Sequence, residues 1–190
     1  YHSPREGYDS AAGEMWDHSL RSAIAAREIV RFAKKKISPG LAFTAGLLHD
    51  IGKSIISEFL KGNTQNLTNL CESRKVEDYL EAETDMIGTN HAQVGYLLAK
   101  HWGLPEPLCL AIRDHHYPFT TSEEHRGLVY AVHLGDLISM MGGSGTGSDS
   151  LAYKVDKGYE EYINVDKNEL ALILLKVQVN FASIKDSIIS

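Results

Sequence analysis

The chain has 190 residues, 43% of them hydrophobic, a formal net charge of -6 at pH 7 and a pI near 5.8. That length suits one domain, or one with an extra lobe, and a core that buries roughly two thirds or more of the unfolded surface without disulfide staples. The acidic balance excludes the broad basic face that gripping a nucleic-acid duplex requires, no apolar run approaches the ~20 residues of a membrane span, and no signal peptide is visible.

The segments read as helices in chain order. Apolar residues Trp16, Leu20, Ala23, Ile24, Ile29, Val30 and Ala33 fall close to a helical stripe, which predicts a helix over Glu14 to Lys36. Lys34-Lys35-Lys36 then complements the helix dipole at its end. Ser38-Pro39-Gly40 is a break. A second helix is predicted from Leu41 to His49, interrupted by Gly52, and a short third from Ser54 to Leu60. After the turn Gly62-Asn63-Thr64 comes a helix over Leu67 to Ile87, stopped by Gly88. Thr89-Asn90 caps the next, His91 to His101. Gly103-Leu104-Pro105 opens another that ends near His115, because Pro118 disfavours continuation. Ser122 begins a long helix to Met141, with Glu123 and Glu124 in its first turn. Gly142 to Ser150 is a Gly- and Ser-rich loop, and Lys154 to Tyr162 is a short helix. Asp166 caps a last helix to about Ile184, with Leu170, Ile173, Leu174, Val177 and Phe181 on one face. The expectation is one all-α domain over residues 1–190. Cys71 and Cys109 are far apart and read as reduced cysteines, as expected of a cytoplasmic protein.

Nine histidines are present, and their placement matters more than their number. His49-Asp50 emerges from the apolar end of a helix, after Leu47 and Leu48. Polar groups in such a setting need partners, and a divalent cation is one solution, since imidazole nitrogen and carboxylate oxygen both ligate first-row ions. His18, His91, His115-His116 and Asp136 fall on separate predicted helices. A helix turns only one stripe inward, so a site with this many ligands must draw one or two from each of several helices. Taken singly, each histidine is more often a hydrogen-bonded core residue. His115-His116 alone would also suit a helix C-terminus, and Asp136 alone could pair with an arginine. His2, His101, His125 and His133 carry no sharp role and are read as surface or core residues.

The order His18, His49-Asp50, His91, His115-His116, Asp136 resembles the HD superfamily of metal-dependent phosphohydrolases, and the match spans most of the chain. Trp16-Asp17-His18-Ser19, Gly46-Leu47-Leu48-His49-Asp50-Ile51-Gly52-Lys53, Gly88-Thr89-Asn90-His91-Ala92-Gln93-Val94-Gly95, Trp102-Gly103-Leu104-Pro105 and Ile112-Arg113-Asp114-His115-His116 are similar to the HDOD (HD-related output domain) branch of bacterial signal-transduction proteins. Glu83 fits the acid that precedes the Gly-x-x-His segment there. The resemblance implies a helical bundle of the HD type. It implies one or two divalent ions, Fe or Mn before Zn, Ni or Mg. The metal ligands would be His18, His49, Asp50 and Asp136 for one ion, with His91 and His115 added for a second and His116 either a further ligand or a phosphate contact.

It also implies a phosphohydrolase in which Asp50 bridges the metals and Lys53 balances phosphate charge. The other reading of Lys53 is a solvent-exposed lysine. The substrate would be a phosphate ester or nucleotide. The alternative is a regulatory module that binds metal or nucleotide without turnover. Partners would include a sensory or receiver domain in a longer chain. The branch ordinarily carries a further helical half upstream of the Trp-x-His-Ser motif, so residues 1–190 are expected to be the C-terminal half of a longer module. A related branch that hydrolyses cyclic di-GMP has a Gly-Tyr-Pro segment after its His-His pair. Here His115-His116-Tyr117-Pro118 leads into Phe119-Thr120, which weighs against that substrate.

Overall fold

The computed structural model describes residue 8 and residues 13–63, 66, 79–143 and 155–189. Among these residues the fold is all-α, with no strand and a single isolated bridge, Ala33 with Ile163. The helices are α1 (Glu14–Ile29), α2 (Pro39–Leu48), α3 (Lys53–Leu60), α4 (Tyr79–Ile87), α5 (His91–His101), α6 (Glu106–Asp114), α7 (Glu123–Met141) and α8 (Lys167–Ile189). No helix among the described residues is long and apolar enough to cross a membrane.

Local chemistry sets most of the ends. Asn90 accepts the Gln93 N–H at 3.0 Å and so caps α5. Gly103, at φ 67°, closes the same helix, with the Leu104 N–H returning to the Ala99 carbonyl at 3.0 Å. At the start of α8, Asp166 and Glu169 form a reciprocal capping box, each side chain accepting the other's backbone N–H at 2.7 Å.

Three expectations need correction. The helix expected to Lys36 is α-helical only to Ile29. Val30–Phe32 tighten into a 3-10 turn and Ala33 is extended. Here tertiary pairing outweighs helix periodicity: the Lys34 N–H donates to the Tyr162 carbonyl and the Asn164 N–H to the Phe32 carbonyl, both at 2.8 Å. Lys34-Lys35-Lys36 therefore does not sit on a helix terminus. Second, Ser38-Pro39-Gly40 is not a break but a start: the Ser38 hydroxyl accepts the Leu41 N–H, and Pro39 takes the first helical position, where it loses no hydrogen bond. Third, the short helix placed over Lys154 to Tyr162 is a 3-10 turn, Lys157–Glu161, opened by an Asp156 side chain that accepts the Gly158 N–H. The last helix runs past Ile184 to Ile189. Of the helix expected over Leu67 to Ile87 only Tyr79–Ile87 is described, and most of the Gly142 to Ser150 loop lies outside the described residues, as do His2 and Cys71.

The main core lies between α1, α2, α7 and α8, around Ile24, Ile29, Ala45, Val132, Leu134 and Ile173. Two smaller clusters join α5 and α6 (Ile51, Ala99, Cys109, Ile112) and α3 and α4 (Ile56, Leu60, Tyr79, Ala82). α1 is held close on two sides by missing side chains. A Cβ on Gly46 of α2 would meet the Ser22 carbonyl at 2.8 Å, and one on Gly135 of α7 would meet the same carbonyl at 2.9 Å. Three backbones thus approach at this point, which brings His18, His49 and Asp136 onto facing surfaces.

Candidate metal centre

Every helix that borders the site delivers its polar residue at an end or from a buried face. His18 lies on the inner face of α1, and Asp136 on that of α7. His49-Asp50 follows α2 in a tight turn in which the Lys53 N–H donates to the Asp50 carbonyl at 3.0 Å. Gly52 makes this turn possible. A Cβ there would overlap the His91 carbonyl and lie 2.7 Å from the Gly95 nitrogen, so only glycine lets the turn press against the start of α5. His91 opens α5, and His115-His116 follows α6. All seven residues singled out from the sequence converge.

The imidazoles are aimed. The His49 Nδ1 donates to the Gly46 carbonyl at 2.8 Å and the His115 Nδ1 to the Ile112 carbonyl at 2.9 Å. The His91 Nδ1 sits 2.9 Å from both Glu83 oxygens. The His18 Nδ1 lies 3.1 Å from the Ser139 hydroxyl, which itself donates to the His18 carbonyl. A carbonyl can only accept, so at least His49 and His115 carry a proton on Nδ1 and turn Nε2 inward.

The inward atoms fall into two groups divided by Asp50. On its Oδ2 side, the His49 Nε2 is at 3.4 Å and the His18 Nε2 at 3.7 Å, with His18 also 3.0 Å from the Asp136 Oδ1. On its Oδ1 side, the His91 Nε2 is at 3.4 Å and the His115 Nε2 at 3.6 Å, and the His116 Nε2 stands 3.2 Å from that of His91. Ligand atoms of His18, His49 and Asp50 lie within 4.8 Å of one another, as do those of His91, His115 and His116; those of His49, His115 and Asp136 do so too, so the two groups adjoin.

Two atoms test whether a cation fits. The Asp50 Oδ1 and the His115 Nε2 are buried and make no hydrogen bond. Such orphans are costly, and both are Lewis bases pointing into a space ringed by others. The buried His/Asp cluster is compatible with a metal site. Electrostatics agree. Burial by itself would raise the Asp50 and Asp136 carboxyls, but His49 with Lys53 for Asp50, and His18 with His49 for Asp136, hold both well below the usual carboxylate range. Both are therefore carboxylates at neutral pH. Burial, helped by His116, pushes His115 down to about 3, so it is neutral.

Lys53 is not the solvent-exposed lysine of one sequence reading. It is buried at 3% exposure with its Nζ 2.7 Å from the Asp50 Oδ2.

Sequence reasoning missed several supports. Glu83 was matched to a motif but had no role, and it is fully buried against His91. Tyr8 donates to Glu83 at 2.6 Å. His133 is a buried clamp, donating from Nδ1 to the His115 carbonyl at 2.8 Å and accepting the Asp156 N–H at 3.0 Å. The signal for Glu83 was its place ahead of the Gly-x-x-His segment, eight residues before His91. Ser139 had none, since its partner is 121 residues away. His101 is exposed and His125 partly buried, both apart from the cluster.

The chain was compared with known proteins. A family model described as the HDOD domain matches residues 2–118. An uncharacterized protein of Treponema pallidum (strain Nichols) is 25% identical over 129 residues, which is 68% of this chain and 25% of that protein. A crystal structure from Marinobacter aquaeolei VT8, provisionally named a signal transduction protein, superposes with a TM-score of 0.72 at 21% identity, over 91% of this chain and 38% of that one. An HDOD domain protein with unknown function from Geobacter sulfurreducens gives a TM-score of 0.63 at 26% identity, over 92% of this chain and 61% of that one. The chain thus spans about a quarter of the curated relative and under two thirds of each solved neighbour.

Proposed function

Because the chain belongs to the HDOD family, we propose that it is a signal-transduction module whose buried cluster holds two divalent ions and hydrolyses a phosphate ester or nucleotide. The observation that supports this most is the division of Asp50, whose two oxygens face two separate sets of imidazole nitrogens. His18, His49, Asp136 and the Asp50 Oδ2 would hold one ion, and His91, His115, His116 and the Asp50 Oδ1 the other. Bound ions there would supply Lewis acidity toward phosphoryl oxygens and acidify a water.

The chain's own residues do the rest. Mixed nitrogen and carboxylate ligands suit Fe or Mn, with Zn, Ni and Mg less favoured. The first set, with two carboxylates, is the harder of the two. The Lys53 ammonium, already fixed on Asp50, is preorganised to balance charge that builds on a phosphoryl group beside it. His116 is only partly buried, while the other six ligands are buried, so a phosphate group would approach along the His116 edge.

That enclosure also favours a second reading, a regulatory site that binds metal or nucleotide without turnover, coupled to a sensory or receiver domain in a longer chain. The experiment is elemental analysis of the purified protein, followed by hydrolysis assays. These would use a chromogenic phosphodiester and cyclic dinucleotides, with Mn2+ or Fe2+ added. Hydrolysis that falls to the metal-free background in Asp136→Asn supports the enzyme. Bound metal with equal, background rates in wild type and variant would leave the regulatory module. A folded protein that takes up no divalent ion would remove the enzyme and leave only a module that binds nucleotide without metal.

A further inference from the structure

Glu83 is a fully buried carboxylate outside the ligand set. It receives three donors: the Tyr8 hydroxyl on Oε1 at 2.6 Å, the His91 backbone N–H on Oε2 at 2.7 Å, and the His91 Nδ1 at 2.9 Å from each oxygen. It therefore grips His91 at both backbone and ring, fixing the ring's rotation on its own helix start. The other imidazoles of the cluster lean on neutral groups: carbonyls for His49 and His115, and a hydroxyl for His18. Only His91, among these four, rests on an anion. A carboxylate on Nδ1 makes the opposite nitrogen a stronger base and better ligand than a carbonyl does. Tyr8 reaches the same network from a distant part of the sequence, and its ring also lies 5.6 Å from the Lys53 Nζ.

We propose that Glu83, seated by Tyr8, is the positioning residue that sets the affinity of the second half-site, the one served by His91, His115, His116 and the Asp50 Oδ1, and leaves the first half-site untouched. The inference rests on the two-ion reading above. Its physical content is asymmetric. The groups that meet the Nδ1 atoms of the first half-site's imidazoles are Ser139 and the Gly46 carbonyl, and Glu83 contacts neither. In Glu83→Gln the amide oxygen must serve the obligate His91 N–H donor. The amide nitrogen then takes the Oε1 place, where it faces the Tyr8 oxygen and Nδ1 as a donor. That favours the tautomer with its proton on Nε2, which covers the lone pair the ion needs.

The test is titration of Co2+ into the metal-stripped full chain, followed by visible absorption and by equilibrium dialysis, for wild type, Glu83→Gln and Tyr8→Phe. Helical circular dichroism is recorded for each. Wild type is expected to take two equivalents. Glu83→Gln is expected to lose roughly 10–100-fold in affinity for one equivalent only, with the absorption of that equivalent altered and the other unchanged. Tyr8→Phe removes one of three donors, so it should weaken the same equivalent by less. Two equivalents bound by Glu83→Gln with wild-type affinities and spectra would overturn the assignment and leave the two-ion reading standing. Equal weakening of both equivalents in folded Tyr8→Phe would overturn it too, as a merely structural role would produce that. Wild type that binds no Co2+ would overturn both.

Discussion

At the residue scale the centre is a problem of uncompensated charge. Asp50 and Lys53 are both buried and form an ion pair, 2.7 Å apart. Removing one partner of a buried pair strands the other, at a cost of about 3–5 kcal/mol. Lys53→Met should therefore lower the unfolding free energy of the metal-stripped protein, read from urea denaturation, by an amount near the low end of that range, because His49 still faces Asp50. Saturating Mn2+ should shrink the difference from wild type, since a bound cation takes over the neutralisation. An unchanged gap would show that ion and lysine do not share Asp50. The pH dependence has a definite sign. Burial opposes the charged His49 imidazolium, but Asp50 and Asp136 outweigh it and raise His49 to about 9 without metal. An ion must displace that proton, so below about 9 affinity should climb with pH, by up to about tenfold per unit for one proton. Mn2+ binding followed by electron paramagnetic resonance at three pH values would check it, and a flat profile would sink it.

At the element scale the site depends on backbones that come close. Gly52 lies against the His91 carbonyl and Gly95, so Gly52→Ala must push the His49–Asp50 turn away from α5. Overpacking of this kind costs about 1–3 kcal/mol, and the larger loss should be in metal affinity, because the shift separates Asp50 from His91. Chemical denaturation and metal titration of the same variant would tell these apart. Undiminished binding would mean the turn tolerates the methyl group. This scale also shows what a sequence can disclose. The seven clustered residues were legible because each sits at a helix end or on an apolar helical face, where an ionisable group is conspicuous. The helices themselves were legible from periodicity and from punctuation such as Asn90 and Gly103. What stayed hidden was pairwise and distant. The helix past Ile29 yields to a bridge with Ile163, about 130 residues on, and no local pattern announces it. Ser38-Pro39 looks alike whether it ends one helix or begins another. His133 and Ser139 are ordinary core residues until the fold shows them holding His115 and His18.

At the scale of the whole molecule, the centre draws α1, α2 and α7 from the main core and α3, α5 and α6 from the smaller clusters. Ions bound there would tie the two groups. A ligand that binds only the native state adds about 2.7 kcal/mol at a hundred times its dissociation constant. For a chain of this size that is roughly 5–10 °C in melting temperature per ion. Differential scanning fluorimetry with and without Mn2+ should show a shift of that order per ion, smaller by one ion's share in Asp136→Asn. A shift of the same size in the variant would place the ion elsewhere.

The docking of α8 on α1 carries a further consequence. The Arg21 guanidinium stacks on the Phe181 ring at 3.7 Å, Lys185 meets Asp17 at 2.6 Å, and Phe181 and Val177 complete the core that Ile24 begins. During synthesis α1 leaves the ribosome some 150 residues before the helix that covers it. The clustered histidines and aspartates, which end at Asp136, emerge in between. Synthesis of the last cluster residue and closure of the core are thus separate events in time. For that interval the growing polypeptide leaves uncovered the apolar face of α1 that α8 later buries.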